Sequence, residues 1–213
     1  APAGYGKTTS VAMWLHSRLH SDQGEAIKPA WFALDADDNE FTTFFTRFAA
    51  ALEKAVPGAL SGVTTGLDLQ GVSPGSYADM LAEACLQLPH EVVLVLDDYH
   101  HVASPDIHAV VAHLVHYASE RLHLVIVSRH DPPMSISRLR ARQQLAEVRA
   151  EDLRLRDAES AALLELRLAA APSPELVKLL QARTEGWAAG LQLAAVSLSQ
   201  GSKDDFLASI SRN

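Results

Sequence analysis

The residues best suited to chemistry lie at the start of the chain, in the run Ala3-Gly4-Tyr5-Gly6-Lys7-Thr8-Thr9. Glycines that precede Gly-Lys-Thr are typical of a loop whose backbone N–H groups hold phosphate oxygens. The glycines permit a tight turn and a close approach of the ligand, because they carry no Cβ. Lys7 is predicted to contact the outer phosphates, and the Thr8 hydroxyl to bind the accompanying Mg²⁺. The sequence therefore predicts that residues 3–9 bind a nucleotide.

Two neighbouring acids would complete such a site. Asp97 and Asp98 follow the apolar run Val92–Leu96, which is typical of a strand buried on both faces of a parallel sheet. In open α/β sheets, ligands bind at the carboxyl ends of the strands. We therefore expect Asp97 to hold the Mg²⁺ shell, usually through water, and Asp98 to act as a base or to orient an attacking water.

A cation is predicted at the end of the next strand. Arg129 follows the apolar run His123–Val127 and Ser128, so it should lie at the same edge of the sheet as the two acids. A planar guanidinium in this position would reach a γ-phosphate and stabilise charge that develops during phosphoryl transfer. Asp98 and Arg129 are thus the candidate catalytic residues.

Each of these residues also has a simpler explanation. A Gly-Lys-Thr tripeptide can precede a helix by chance, and Ala1 stands where the general loop pattern has glycine. Acids at the end of a strand can simply form a turn, and Arg129 can be a solvated loop residue. The presence of all three features in one chain favours the functional interpretation.

Alternating strands and helices are predicted to position these residues. Five apolar side chains at i, i+3, i+4, i+7 and i+11 mark one buried helix face, formed by Phe41, Phe44, Phe45, Phe48 and Leu52. The other predicted helices of this part cover Thr8–Leu19, Tyr77–Leu88 and a stretch that begins at Ser104, and the first of them has Ala12, Leu15 and Leu19 on one face. Strands are predicted at Pro29–Asp35, Glu91–Asp97, His123–Arg129 and Leu145–Ala150, and an exposed loop at Pro57–Ser76.

From Asp157 onward the pattern is helical only, with a second helix at Ser173 and a third that carries Trp187 and ends at Gly201. The predicted fold is therefore an α/β P-loop NTPase domain with a parallel sheet in residues 1–152, followed by a small all-helical lid subdomain in residues 153–213. Because a phosphate-binding loop normally follows a buried strand, we expect this chain to be a fragment. The first strand would lie upstream of Ala1, and the helical subdomain would be truncated.

Composition narrows the classes of function. The chain has 213 residues, a net charge of −8 and one cysteine, and 48% of its residues are hydrophobic. An acidic segment is poorly suited to bind nucleic acid by itself, and no apolar run approaches the roughly 20 residues that span a bilayer. A single cysteine cannot form an internal disulfide, so a reducing cytoplasm is the expected compartment.

Four segments together resemble one family. They are Ala1–Thr9, Leu94–His100 (Leu-Val-Leu-Asp-Asp-Tyr-His), Val125–Pro133 (Val-Ile-Val-Ser-Arg-His-Asp-Pro-Pro) and Arg183–Leu193 (Arg-Thr-Glu-Gly-Trp-Ala-Ala-Gly-Leu-Gln-Leu). In this order they resemble the nucleotide-binding core of the large ATP-binding LuxR-type transcriptional regulators, which belong to the STAND class of AAA-like P-loop ATPases. The similarity extends along nearly the whole chain.

The resemblance implies a regulatory switch. Members hold ADP in an inactive monomer, and exchange for ATP favours self-association. Inducer and promoter DNA bind to downstream domains outside this segment. By this resemblance, Lys7 and Thr8 bind phosphate and Mg²⁺, Asp97 and Asp98 serve the metal and hydrolysis, and Arg129 senses the γ-phosphate. The Gly186-Trp187 segment would belong to the helical subdomain that closes over the nucleotide.

Two other functions stay open at this point. A metabolic phosphotransferase would need an acceptor site with its own base, and Asp98 is the one candidate for that base. A non-catalytic nucleotide-binding scaffold would have kept the fold and lost hydrolysis, although the presence of both Asp97 and Asp98 argues against it. The choice of adenine over guanine rests on the resemblance alone.

Overall fold

The computed structural model describes residues 1–20, 27–64, 72–117 and 119–200. The described chain divides into two compact units, one within residues 8–145 and the other formed by residues 1–7 together with residues 146–200. This division differs from the predicted boundary between residues 152 and 153. Within this second unit, carbonyl groups of the first seven residues accept hydrogen bonds from Trp187 and Ala189, as shown below.

Helices and strands are interspersed through the first 145 residues. In chain order they are α1 (Lys7–Leu19), β1 (Lys28–Ala33), α2 (Phe41–Ala55), α3 (Ser61–Thr64), α4 (Pro74–Leu86), β2 (Val92–Asp97), α5 (Pro105–Tyr117), β3 (Leu122–Ile126) and α6 (Ile136–Ala141). This order confirms the predicted α/β class. Over the described ranges no helix is both long and apolar enough to cross a membrane.

The strands form a parallel sheet in the order β1-β2-β3, as far as the described residues show. All six residues of β2 are buried, as expected for a strand that has a neighbour on each side and helices on both faces. Ala33 pairs with Asp97, and Leu96 pairs with Ile126, so the three strands end at the same edge. The edge at which Asp97 lies is therefore the carboxyl edge of the sheet.

One face of the sheet carries the larger core, which α2, α4 and α5 build with alternate residues of β2. Phe44, Phe45, Phe48 and Leu52 of α2 are fully buried, as their spacing predicted, whereas Phe41, the fifth member of the predicted face, is partly buried against the same core. The same core encloses Cys85 of α4, and burial raises the pKa of its thiol to about 11.

The opposite face of the sheet is covered by α1. Leu15 is buried against Val93 and Val95, which point to the side opposite the phenylalanine core. Ala12 and Leu19 were predicted to share one apolar face with Leu15, but Ala12 is exposed and 46% of the surface of Leu19 is exposed, so only Leu15 of the three is buried. Leu19 is the last residue of the helix.

The predicted exposed loop at Pro57–Ser76 is wrong in part. Leu60 and Val63 are buried in the larger core, and the short helix α3 lies within the stretch. The Glu53 carboxylate accepts hydrogen bonds from the backbone N–H groups of Gly58 and Leu60, both at 2.8 Å, and so fixes the turn that directs Leu60 inward. Residues 65–71 of this prediction lie outside the described residues.

The predicted strand at Leu145–Ala150 is also wrong, because the structure has no strand there. The Arg149 N–H donates to the Asp152 carboxylate at 2.7 Å, and the Leu153 N–H donates to the Ala150 carbonyl at 3.2 Å. These local bonds satisfy backbone groups that a sheet ladder would otherwise use. Val148, which a strand would have buried, is 67% exposed.

The helical unit contains α7 (Asp157–Leu168), α8 (Pro174–Thr184) and α9 (Ala188–Gln200). Its own core consists of Leu164, Val177, Leu180, Leu191, Ala195 and Leu198. The helices begin where the sequence predicts them, with the Ser173 side chain capping α8. Gly201, the predicted end of α9, lies outside the described residues.

The turn between α8 and α9 is held by a small polar network. Gln181 donates from Nε2 to the Leu155 carbonyl at 2.6 Å and accepts the hydroxyl of fully buried Ser160 at 2.7 Å. The Leu155 N–H in turn donates to the Gly186 carbonyl at 2.9 Å. Glu185 and Gly186 both have positive φ, at 49° and 74°, so the chain reverses direction within two residues before α9 starts.

Candidate functional site

Asp97 is a nearly buried carboxylate at the carboxyl end of β2, with 5% of its surface exposed. Its Oδ1 accepts the Thr8 hydroxyl at 3.0 Å, and it also accepts the backbone N–H of Asp98 at 3.0 Å. The Leu34 N–H donates to the Asp97 carbonyl at 3.0 Å and continues the pairing of β1 with β2. The strand pairing and these donors together fix the direction of the carboxylate, so that it meets the first turn of α1.

The Thr8–Asp97 pair is suited to bind Mg²⁺. A hydroxyl and a carboxylate are the hard oxygen ligands that this ion prefers, and neighbouring ligands in its octahedral shell lie about 3 Å apart. The observed separation of 3.0 Å between Thr8 Oγ1 and Asp97 Oδ1 matches that spacing. The residues present therefore fit the metal for which they were predicted.

Asp98 begins a sharp turn. Its φ of 54° and ψ of 36° are left-handed, a conformation that aspartate tolerates better than most residues. The turn is fastened on both sides, because the Tyr99 N–H donates to the Val127 carbonyl at 2.9 Å and the His101 N–H donates to the Asp98 carbonyl at 3.0 Å. The Asp98 side chain is 48% exposed, so a water molecule can reach it.

Arg129 lies near this turn without bonding to either acid. Burial lowers the pKa of His100, and the positive charge of Arg129 is the next cause. His100 Nδ1 lies 3.7 Å from Asp98 Oδ1. The charge of Arg129 lowers the pKa of His100, and the charge of Asp98 raises it. In the part of the chain that the structure describes, no hydrogen bond or ion pair joins Arg129 to Asp97 or Asp98. Arg129 is exposed.

The loop of residues 1–7 bends back on itself. Gly4 and Gly6 have φ values of 78° and 76°, which favour glycine strongly. Left-handed residues of this kind build the backbone nests that bind anions. The Lys7 ammonium donates to the Pro2 carbonyl at 2.7 Å, so the lysine side chain lies along its own loop.

The resemblance placed Gly186-Trp187 in the helical subdomain, but sequence reasoning missed the contacts that this segment makes with the loop. The Trp187 indole N–H donates to the Ala3 carbonyl at 3.0 Å, and the Ala189 N–H at the start of α9 donates to the Gly4 carbonyl at 3.0 Å. The available signal was the cluster of small residues around a tryptophan at 186–190, which is unusual at the start of a helix. Nothing in that cluster indicated which distant segment it contacts.

Comparison with solved structures defines the class of the fold. The Aeropyrum pernix ORC1 protein in complex with DNA superposes on the chain with a TM-score of 0.51 at 18% identity, covering 100% of this chain and 57% of that one. This likeness, together with the parallel sheet, shows that the chain has the α/β fold of P-loop ATPases. No family model matches the sequence.

Comparison with curated sequences gives the closer relationship. HTH-type transcriptional regulators MalT are 30% identical over 203 residues in Cronobacter sakazakii, 34% over 202 residues in Serratia proteamaculans and 33% over 202 residues in Yersinia enterocolitica. These matches cover 93–94% of this chain and 21% of each relative. The chain is thus homologous to one segment of the MalT transcriptional regulators, and it spans about one fifth of their length.

Proposed function

We propose that the chain is the nucleotide-binding switch module of a LuxR-type regulator of the STAND class, inactive with ADP and active with ATP and Mg²⁺. The 3.0 Å hydrogen bond from Thr8 to Asp97 carries this proposal. It joins two residues 89 positions apart in the sequence that the phosphate-loop motif and the end of β2 independently assign to one metal ion. A chance tripeptide before a helix would not account for this pairing.

In this proposal the backbone of residues 3–9 and the Lys7 ammonium bind the phosphates. Thr8 and Asp97 hold the Mg²⁺, which neutralises charge on the outer phosphates when it is bound. Asp98, exposed at the turn after β2, orients the attacking water or accepts its proton. Arg129 serves as the sensor of the γ-phosphate. This role is supported by the position of Arg129 at the carboxyl edge of the sheet, near His100.

The switch follows from a difference in contacts. A γ-phosphate adds charge that Arg129 and Mg²⁺ can engage, and ADP lacks it. A ligand shifts a conformational equilibrium only by its differential affinity for the two states, so the γ-phosphate is the group that would select the active state. Slow hydrolysis would then restore the ADP state.

The partners of the whole regulator belong to the same proposal. Self-association in the ATP state is expected of this segment. Promoter DNA and a small-molecule inducer are expected to bind elsewhere in the protein. This fits a segment that matches only 21% of each MalT relative. The cytoplasm is the proposed location, in keeping with a transcriptional role.

Isothermal titration calorimetry with Mg·ATP and Mg·ADP tests the proposal. We expect both nucleotides to bind and Lys7→Ala to weaken binding about 10- to 150-fold, because a hydrogen bond to a charged group contributes about 1.5–3 kcal/mol. Lys54→Ala, at an exposed lysine in the last turn of α2, is the matched control and should bind like the wild type.

Three outcomes contradict the proposal in different ways. Equal affinity in Lys7→Ala would remove the phosphate-loop assignment. No heat with either nucleotide would favour a scaffold that does not bind them. Rapid ATP turnover that a small acceptor stimulates would favour a phosphotransferase.

A further inference from the structure

We propose, on the basis of the nucleotide-binding function above, that Trp187 is a positioning residue of the phosphate loop. Its indole N–H and the Ala189 N–H orient the backbone N–H groups of Gly4 and Tyr5 for the phosphates. Trp187 itself touches no phosphate in this proposal. Its effect is to fix the direction of two peptide groups before the nucleotide arrives.

The argument starts from two adjacent carbonyl groups. Trp187 Nε1 donates to the Ala3 carbonyl, and Ala189 N donates to the Gly4 carbonyl, each over 3.0 Å. One donor belongs to the residue that immediately precedes α9 and the other lies in its first turn, so the two peptide groups are held as a pair. This is a side-chain and a main-chain contact to successive residues of one loop, which a single loose surface contact would not produce.

Peptide geometry converts these bonds into an orientation of donors. In a trans peptide the C=O of one residue and the N–H of the next point in nearly opposite directions. The structure has no cis peptide among its described residues. When the Ala3 carbonyl points at the indole, the Gly4 N–H points away from it, and the Tyr5 N–H likewise points away from Ala189. Two donors of the predicted phosphate cradle are therefore set by α9.

The absence of a Cβ at two glycines leaves room for the Trp187 indole. A Cβ at Gly4 would lie 2.6 Å from both Trp187 Nε1 and the Ala189 Cβ, and a Cβ at Gly190 would lie 2.7 Å from Trp187 Cε3. Real Cβ atoms do not approach other atoms so closely, so both positions exclude larger residues while Trp187 stays in place. Gly4 is therefore required by its neighbours as well as by its left-handed φ.

The backbone of Trp187 is hydrogen-bonded on both sides. Its backbone N–H donates to the Thr184 carbonyl at 2.8 Å, and its carbonyl accepts the Leu191 N–H at 3.0 Å. Gly186, with φ of 74°, packs so closely on Leu155 that a Cβ would lie 2.4 Å from the Leu155 carbonyl oxygen. Because the backbone that carries the indole is held in this way, the bond from Trp187 to Ala3 can order the loop. Ordering a loop in advance lowers the entropic cost of binding a ligand.

The test compares Trp187→Phe with the wild type, using the affinities for Mg·ADP and Mg·ATP from calorimetry. Phenylalanine keeps an aromatic ring and removes the indole donor, so we expect affinity to fall about threefold to tenfold, as for one lost hydrogen bond. Trp14→Phe, at a partly exposed residue of α1, is the matched control and should bind like the wild type.

A spectroscopic measurement separates positioning from simple packing. The chain has three tryptophans, and the three indole N–H signals in a ¹⁵N–¹H NMR spectrum are assigned by substitution to phenylalanine. We expect the Trp187 signal to shift on addition of Mg·ADP and the Trp14 signal to stay in place. A residue that only packs the helical unit would leave both its signal and the affinity unchanged.

The outcomes distinguish the two proposals. If the wild type binds nucleotide but Trp187→Phe binds equally well and the Trp187 signal is silent, the positioning role is wrong and the proposed function stands. If the wild type binds neither nucleotide, both the proposed function and this inference are wrong. Weaker binding together with a responsive Trp187 signal supports both.

Discussion

Asp97 and Ser160 are polar residues that the fold buries, and each is matched by partners from its own unit. Asp97 meets the Thr8 hydroxyl and the Asp98 N–H, and Ser160 meets Gln181. A buried polar group that loses its partner costs about 1–3 kcal/mol, whereas a satisfied one contributes modestly. A substitution that removes either side chain or its partner therefore leaves a buried polar group unsatisfied.

Gln181→Ala is expected to destabilise the helical unit by about 1–3 kcal/mol, because it leaves the Ser160 hydroxyl and the Leu155 carbonyl without Gln181. Urea unfolding, followed by circular dichroism, measures the change in the free energy of unfolding. Gln192→Ala, at an exposed position of α9, is the control and should change stability by less than about 0.5 kcal/mol. Similar values for the two variants would contradict the role of the network.

At the scale of elements, the turn between α8 and α9 decides where Trp187 can lie. Gly186 is left-handed and buried against Leu155, so the turn has room for a hydrogen atom and for nothing larger. Gly58, which precedes α3, is also left-handed, but a Cβ there would meet no atom within 4 Å. A comparison of substitutions at the two glycines therefore distinguishes the energetic cost of backbone strain from that of steric crowding.

Gly58→Ala should cost about 1–2 kcal/mol, which is the strain of a left-handed alanine. Gly186→Ala should cost about 1–3 kcal/mol more, because its Cβ also collides with the Leu155 backbone. Free energies of unfolding from urea titrations of both variants provide the comparison. An equal cost for the two would show that crowding at Gly186 is relieved by small movements and that strain alone matters.

The elements also show what the sequence could predict. The phenylalanine spacing predicted the buried face of α2, and the run Val92–Leu96 predicted the central strand, because both patterns state burial directly. Leu60 escaped prediction because its burial depends on Glu53, whose carboxylate reaches forward to fix a turn among loop-forming residues. A strand at Leu145–Ala150 was predicted from local composition, yet a strand also needs a partner, which composition cannot supply.

The same limit applies to the candidate site. The spacing of the loop motif and the acids at the end of β2 predicted that Thr8 and Asp97 serve one metal, and a hydrogen bond joins them. No local pattern pairs Trp187 with Ala3, which lie 184 residues apart. Local sequence cannot predict this contact, because it depends on the direction in which the turn between α8 and α9 places the Trp187 indole.

At the scale of the whole molecule, protonation links stability to pH. Burial lowers the pKa of His108, whose Nδ1 lies 2.9 Å from the Tyr99 hydroxyl, and burial also lowers the pKa of His100. Both histidines are then favoured in their neutral form in the folded protein. Their pKa values in the unfolded chain lie near 6.5, so the unfolded state binds more protons below that pH.

The contribution of these two histidines to the free energy of unfolding should therefore be fully present above about pH 6.5. It should decrease as the pH falls from about 6.5 towards 5. Hydrogen bonds from backbone N–H groups lower the pKa values of Asp35 and Glu40, so their contribution is lost only at lower pH, below about 4. Tm measured between pH 7.5 and 5.5 tests this expectation.

His108→Gln should flatten that dependence, whereas His116→Gln, at an exposed position of the same helix, should leave it as it is. A wild-type Tm that stays constant across this range would show that neither buried histidine resists protonation. An unchanged slope in His108→Gln would assign the effect to His100 or to other groups.

The enclosure of Cys85 has a consequence for the chemistry of the intact protein. The thiolate is the form of cysteine that attacks oxidants, alkylating agents and metal ions, and a pKa of about 11 leaves almost none of it at neutral pH. The chain has no second cysteine, so its thiol chemistry depends on how tightly α4 is packed. Oxidants and alkylating agents would reach the Cys85 thiol only in molecules in which that helix has opened.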